Sequence, residues 1–410
     1  DRYEGILKNL FRGHSLKIGI VVLVLGYVLS QFYRAFLAVL APELYTDLNT
    51  TPEILATASG VWFLTFAAMQ IPVGVALDKI GPRITASLLL AIGGAGGAFL
   101  FSSAQSENQI ILAMGLIGTG CSPILMSAYY IFARSFSPKV FATLAGVSLG
   151  LGTMGNVASA LPLTLAVQLF GWRGALLSLA IITFLVAVLI YIFVKNPEKV
   201  LLEKQSNDSV LTILKMPIIW PIIILMAVTY APAAGIRGLW ISPYLSDVFL
   251  VSKEMIGTAT LIMGVSMILG SIVYGPLDRI ISSKKTIIFF GNFLCAMSCI
   301  LLFLIPNSSL VISITLLALV GFFGSSFAVI IGHGRDFIPA HLTGRGVTLL
   351  NLFGIGGAGI LQAWSGKLFV SYSTEQDIAL GYQSIFLFFG LFLLAGCFVY
   401  LFSKDSMMRE

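Results

Sequence analysis

The chain has 410 residues, of which 58% are hydrophobic and only 10% charged, with a mean hydropathy of +0.97. Soluble domains carry about 25% charged residues, so this composition excludes a water-soluble fold and marks an integral membrane protein. The net charge of +6 does not point to nucleic acid, because the basic residues flank apolar segments, where they set topology.

The apolar stretches reach about 20 residues or more, the length a helix needs to cross a bilayer, and they lack the short alternating pattern of a barrel. Residues 1–17 are polar and form no cleavable signal, since its hydrophobic region would be the long first span itself. Spans are predicted at 18–44, 54–77, 84–104, 110–134, 140–168 and 174–194. The stretch KNPEKVLLEKQSNDSV, residues 195–210, is the one sizeable polar linker. A second series follows at 217–246, 255–277, 286–306, 310–334, 344–371 and 383–403. In chain order these are spans one to twelve.

The expected fold is therefore all-α and integral to the membrane, with about twelve transmembrane helices in two pseudo-symmetric six-helix bundles. Residues 1–194 form the first bundle, 195–215 a linker, and 216–410 the second. Lys and Arg crowd one side, from Arg2, Lys79 and Arg134 to Lys195, Lys284 and Lys404, and little beyond Arg173 and Lys253 falls on the other. That asymmetry puts both termini and the linker in the cytoplasm. Cys121, Cys295, Cys299 and Cys397 all fall in apolar segments without His or acidic neighbours at ligand spacing, so they read as packing groups. No metal or cofactor motif is present.

An internal repeat recurs at an offset of about 200 residues. VALDKI (75–80) matches GPLDRI (275–280), and ARSFSP (133–138) matches GRDFIP (334–339). Parallel repeats with a site between them describe secondary transporters.

The loop GVALDKIGPR, 74–83, places Asp78, Lys79, Gly81 and Arg83 at the signature positions between helices two and three of the major facilitator superfamily, which the chain resembles. FGWRGALL, 170–177, resembles that family's start of helix six. The resemblance covers the whole chain and implies alternating access, in which two bundles rock around a central site. No Walker A pattern occurs, so gradients of solute or ion would supply the energy. It also implies a gate: Asp78 with Arg134, and Asp278 with Arg335, each joining the ends of a second and a fourth helix of one half. In the family the loop aspartate also faces a helix start in the other half, here near Thr343–Gly346 for Asp78 and Lys139–Thr143 for Asp278, where the helix dipole favours a carboxylate.

Two arginines lie deep inside spans. Arg34 sits in QFYRAFLAVLAPEL, about 16 residues and roughly 24 Å into span one. Arg237 lies about 20 residues into span seven by the same rise per residue. An arginine at the bilayer centre costs about 2.5–3.5 kcal/mol on insertion scales. Neither span has a carboxylate at helical spacing to neutralise it. Two guanidiniums around one wet cavity suit an anion, since their planar paired donors match carboxylate or phosphate. The alternative is that an arginine bonds backbone carbonyls and holds packing. Tyr27, Gln31, Arg34 and Ala38 form a stripe on span one, and Tyr230, Arg237, Trp240 and Tyr244 one on span seven. Gln70, Tyr129, Tyr130, Asn156, His333, Asn351 and Gln362 are further lining candidates.

Arginines on helices one and seven are similar to those of the organophosphate–phosphate antiporter branch. Arg34 to Pro42 fits that branch's spacing, whereas Pro243 follows Arg237 after five residues, not seven. The implied cargo is a small organic anion, phosphorylated or carboxylate. No Asp or Glu lies in the middle of a span, which favours anion exchange or facilitated diffusion over carboxylate-driven proton coupling. GVSLGLGTMGNVASALP, 146–162, is glycine-rich without Gly-Pro and reads as close helix packing. An enzyme would need a paired base and nucleophile, and HGRD (333–336) is the only His–Asp neighbourhood. The remaining alternatives are a proton-coupled carrier of a peptide, amino acid or other polar metabolite, and a receptor that binds without flux. The expected protein is a monomer in a bacterial cytoplasmic membrane, with an exchanged anion or coupling ion as its second solute.

Overall fold

Long apolar runs can satisfy their backbone in a bilayer only as helices or closed barrels. Among the described residues the chain is helical throughout, with no strand. The computed structural model describes residues 2–136, 144, 147–197, 210–281, 283–339, 343–374 and 376–405. Local signals start the helices. Thr51 accepts from the Ile54 N–H at 3.3 Å ahead of Pro52–Ala68, with Pro52 at the first helical position. Ser283 does the same for Lys284–Leu304, accepting from the Thr286 N–H at 3.2 Å.

Ten helical segments, from Leu16–Tyr33 to Ala379–Tyr400, are long and apolar enough to cross a membrane. One of them, Leu161–Phe193, holds span six and the end of span five, with Gly171 at φ 70° turning the chain between them, and residues 147–160 continue span five. Thr343–Tyr372 supplies span eleven. Twelve crossings result among the described residues.

The packing repeats between the halves. Span two lies on span four, and span eight on span ten; spans three and six pair, as do spans nine and twelve. Across the halves, span two packs on span eleven and its counterpart span eight packs on span five, while span one meets span seven.

These cross-half contacts concentrate on the face away from the chain ends. A Cβ on Gly60 would lie 2.6 Å from the Gly359 carbonyl oxygen, and one on Gly257 2.7 Å from Thr164 Oγ1. Only glycine lets these backbones approach so closely. At the rim, Lys253 pairs with Glu43, and Gln168 Nε2 donates to Glu254 Oε1 at 2.7 Å; both ties join the two halves. Toward the face that carries the chain ends, Gln70–Lys79 packs chiefly on spans three and four of its own half, and a Cβ on Gly74 would meet nothing within 4 Å. The described residues thus close one face and part toward the other.

Candidate binding site between the halves

Both deep arginines sit where a helix is irregular. Span one is two helices, Arg2–Tyr33 and Leu37–Leu48, with Arg34 in the turn between them. There the Ala35 N–H bonds the Phe32 carbonyl, three residues back, at 3.1 Å. Span seven bends at Tyr230 ahead of Pro232, and Arg237 lies in a π-helical turn, Ile236–Trp240. The two irregular segments touch: a Cβ on Gly238 would lie 2.8 Å from the Arg34 carbonyl oxygen. Irregular backbone at membrane depth persists only where protein or a cavity surrounds it, and π-turns recur at functional sites.

Arg34 is partly exposed. Its guanidinium lies 5.3 Å from the Trp62 ring centroid and 5.0 Å from that of Phe66, both on span two. Such cation–π contacts hold the charge without neutralising it. The Tyr230 hydroxyl accepts a hydrogen bond from it, the Tyr27 hydroxyl is a further neighbour, and its Nε is buried without a hydrogen-bond partner. Tyr230 also reaches across the halves, its ring 6.1 Å from Phe63 and 5.4 Å from Phe327.

Arg237 is 1% exposed and is held differently. Its Nη2 donates to the Asn156 carbonyl oxygen on span five, and its Nη1 lies 3.3 Å from both Asn156 Oδ1 and Ser159 Oγ. The guanidinium rests on span eight, where a Cβ at Gly264 would come within 2.9 Å of Nη2. Asn156 Nδ2 donates to Gln31 Oε1 at 3.1 Å, and Gln31 Nε2 donates to the Tyr27 hydroxyl at 2.5 Å. Spans one, five and seven are therefore joined by one run of hydrogen bonds. The glycines of span five make room for it: a Cβ on Gly152 would strike the Tyr27 ring at 2.1 Å, and one on Gly155 the Val28 carbonyl at 2.0 Å.

The span-seven stripe divides. Tyr230 and Arg237 face the first half, whereas Trp240 and Tyr244 are fully buried inside the second. Trp240 Nε1 donates to Ser365 Oγ at 2.9 Å and its ring packs on Phe369, while Tyr244 bonds Ser313 and the Pro306 carbonyl. The π-turn between them breaks the 3.6-residue period on which a single stripe depends. Of the further lining candidates, Tyr129 neighbours Tyr27, and Gln70 Nε2 bonds the carbonyls of Phe66 and Ser122. Gln362 is 1% exposed beside Gly235, with both amide atoms unpartnered. His333 is fully buried away from the arginines. One ring nitrogen meets the Lys404 carbonyl at 3.0 Å and the other the Tyr400 hydroxyl at 2.7 Å, which fixes the end of span twelve. Trp62 and Phe66 were not among the sequence candidates. With Gln70 they form an i, i+4, i+8 face, a signal the sequence does carry.

The gate expected from Asp78, Arg134, Asp278 and Arg335 is partly visible. The side chains of Asp78 and Asp278, and residues 139–143, lie outside the described residues. Arg134 stacks 4.4 Å above the Tyr130 ring, and Arg335 is exposed. The loop around them has a clear structural logic. Gly81 adopts φ 100°, which an L side chain rarely does, and a Cβ there would meet Asn196 at 2.5 Å. Asn196 Oδ1 accepts from the Arg83 N–H at 3.0 Å, and Arg83 Nε bonds the Tyr191 carbonyl at 2.6 Å. The second half repeats the tie, with Lys285 Nζ on the Leu401 and Ser403 carbonyls.

Two six-helix halves, closed on one face around an arginine, have the architecture of secondary membrane transporters. The family profile described as Major Facilitator Superfamily matches residues 23–242 and again 233–407, and the chain belongs to that superfamily. The structure is similar to a bacterial homologue of the human lysosomal transporter Spinster in an inward-facing, unoccupied conformation (TM-score 0.78, 16% identity, 94% of this chain and 96% of that one). It is also similar to a D-xylose–proton symporter (TM-score 0.75, 15% identity, 95% and 98%). At these identities the likeness concerns the fold. Among curated proteins, a nitrate/nitrite transporter NrtP of Picosynechococcus sp. is 39% identical over 94 residues, 22% of this chain and 17% of that protein. NrtP of Nostoc punctiforme is 26% identical over 190 residues, 43% and 37%. The chain spans well under half the length of these relatives.

Proposed function

We propose that the protein carries a small monovalent anion across the cytoplasmic membrane, with Arg34 as the cargo's charge partner. One observation carries this reading. The Arg34 guanidinium lies at a helix break between the halves, seated on aromatic faces, with Nε unpartnered. An incompletely bonded charge deep within a membrane span is expensive and needs a compensating role. Arg237 has both Nη atoms engaged by Asn156 and Ser159 and only its Nε unpartnered, so Arg34 is the guanidinium left to face cargo. That favours a carboxylate over a doubly charged phosphate ester, and the planar donor fork suits it.

A second reading is an inorganic oxyanion such as nitrate or nitrite. It is favoured by the similarity to the NrtP proteins, and nitrate shares the planar shape and single charge of a carboxylate. The excess of Lys and Arg on the terminal face supports a cytoplasmic position for it, and in this reading the closed face is external and the conformation inward-facing. Asp78, Arg134, Asp278 and Arg335 act as the cytoplasmic gate in this reading. The protein works as a monomer and couples by exchange, since no carboxylate lies at mid-depth.

The test is a thermal-shift series on the purified protein with acetate, lactate, nitrate and inorganic phosphate, repeated on Arg34→Ala. A bound ligand stabilises in proportion to the logarithm of its concentration over Kd. A dose-dependent shift with a monovalent anion, absent in the variant, is expected. A cargo that stabilises Arg34→Ala as fully as the wild type would overturn the assignment.

A further inference from the structure

Tyr27, Gln31, Asn156 and Arg237 are each at least nine-tenths buried, so their bonds are made without competing water. They form a chain whose direction is fixed at one end. A guanidinium can only donate. With Arg237 donating to Asn156 Oδ1, the Asn156 amide must turn its Nδ2 toward Gln31. Gln31 accepts there with Oε1 and must donate with Nε2 to the Tyr27 oxygen. Tyr27 then has its acceptor position filled by Gln31, and its own proton points elsewhere. The groups beside that hydroxyl are the Arg34 guanidinium, which cannot accept, and the Tyr230 and Tyr129 hydroxyls.

We infer that Arg237 is a positioning residue that, through Asn156 and Gln31, orients the Tyr27 hydroxyl to donate a second hydrogen bond to the anion at Arg34. The inference rests on the anion reading above and adds how the site is tuned. Without Arg237, both amides can rotate by half a turn at little cost, and the Tyr27 proton can turn back to Gln31 Oε1. The anion would then face Arg34 with one polar donor fewer.

The chain also crosses between the halves. Arg237 belongs to the second half, and Asn156, Gln31 and Tyr27 to the first. Rocking the closed face open separates span seven from span five and removes the donor that sets the amides. Donor orientation at the cargo is thereby tied to conformation, which is the differential contact that coupling between cargo and state requires.

The experiment measures equilibrium binding of acetate and nitrate to the purified full chain, in the wild type and in Tyr27→Phe, Arg237→Gln, Arg237→Lys and Asn156→Asp. Lysine keeps a donor-only group at 237, whereas glutamine does not. Asn156→Asp keeps a partner for Arg237 but removes the donor to Gln31, and serves if Arg237→Gln does not fold. Tyr27→Phe, Arg237→Gln and Asn156→Asp should each weaken binding about tenfold, the scale of one buried hydrogen bond to a charged group. Tyr27→Phe combined with Arg237→Gln should lose no more than either alone, because both remove the same bond. Arg237→Lys should stay within about twofold of wild type. Wild-type affinity in Arg237→Gln and Asn156→Asp, or losses that multiply in the double variant, would overturn the inference. A second readout needs no cargo: the fluorine resonance of 3-fluorotyrosine at position 27 should move in Arg237→Gln and stay in Arg237→Lys. If neither anion binds the wild type, the functional reading fails by itself, and an unmoved resonance in Arg237→Gln then overturns the relay separately.

Discussion

Arg34 and Arg237 occupy corresponding places in the two halves, yet the protein treats them in opposite ways. Both lie deep in the first helix of their half, at a break or a π-turn, and neither pairs with a carboxylate among the described residues. Arg237 is sealed against span five, with its Nη atoms on an amide, a hydroxyl and a main-chain carbonyl. Arg34 is partly exposed, rests on the Trp62 and Phe66 rings and has the Tyr230 hydroxyl as its hydrogen-bond partner. The same residue type therefore serves once as an internal tie and once as an open donor. A repeat preserves backbone geometry more faithfully than it preserves the job of a side chain.

Substitutions can separate the two roles, and the largest effect is expected at the open arginine. Arg34→Ala should lower anion transport at least about thirtyfold, since losing a hydrogen-bonded charge contact costs about 2–5 kcal/mol. Its melting temperature should not fall, because removing an incompletely bonded charge relieves the fold. Transport within tenfold of wild type would merge the two arginines into one structural class. Gly238→Val comes next. Its side chain would meet the Arg34 carbonyl at the crossing of spans one and seven, and should keep the closed face from forming. Labelling of a cysteine placed at Ser242, buried on the closed side, would report this as increased reactivity; unchanged labelling would deny the close contact.

Arg237→Ala should differ from Arg34→Ala in its effect on stability. It leaves the buried Asn156 carbonyl with one partner fewer, a cost of about 1–3 kcal/mol, seen as a lower melting temperature. An unaltered melting curve would remove the distinction between the arginines. The smallest effect belongs to the rim. Lys253 and Glu43 are exposed enough that Lys253→Ala should shift the open–closed balance by only about 0.2–1 kcal/mol, and the shift should vanish in high salt. A change of tenfold or more in labelling at the closed face would make that ion pair a principal latch.

Much of this architecture is legible in the sequence, because a bilayer demands long apolar helices and the charge asymmetry orders them. The offset between VALDKI and GPLDRI announces two halves, and the glycines at 152 and 155 announce close packing, now seen against Tyr27 and Val28. The site is less legible. Nothing in YRAF marks a helix break, since no Gly or Pro lies within it. The π-turn at Ile236–Trp240 rotates the residues beyond it, so a stripe drawn at constant period groups Trp240 with Arg237 although they face different neighbours. The bond from Arg237 to a main-chain carbonyl joins residues 81 positions apart and depends on no side-chain pattern at all. Trp62 and Phe66 belong to span two, and only the fold brings them under Arg34.

The most direct test of the central claim is counterflow of labelled acetate and nitrate in proteoliposomes, run side by side on wild type, Arg34→Ala and Arg237→Lys. Wild type and Arg237→Lys should accumulate label against internal unlabelled anion, while Arg34→Ala should not rise above empty vesicles. Accumulation by Arg34→Ala equal to wild type would contradict the account, because the anion would then be recognised without its assigned charge partner.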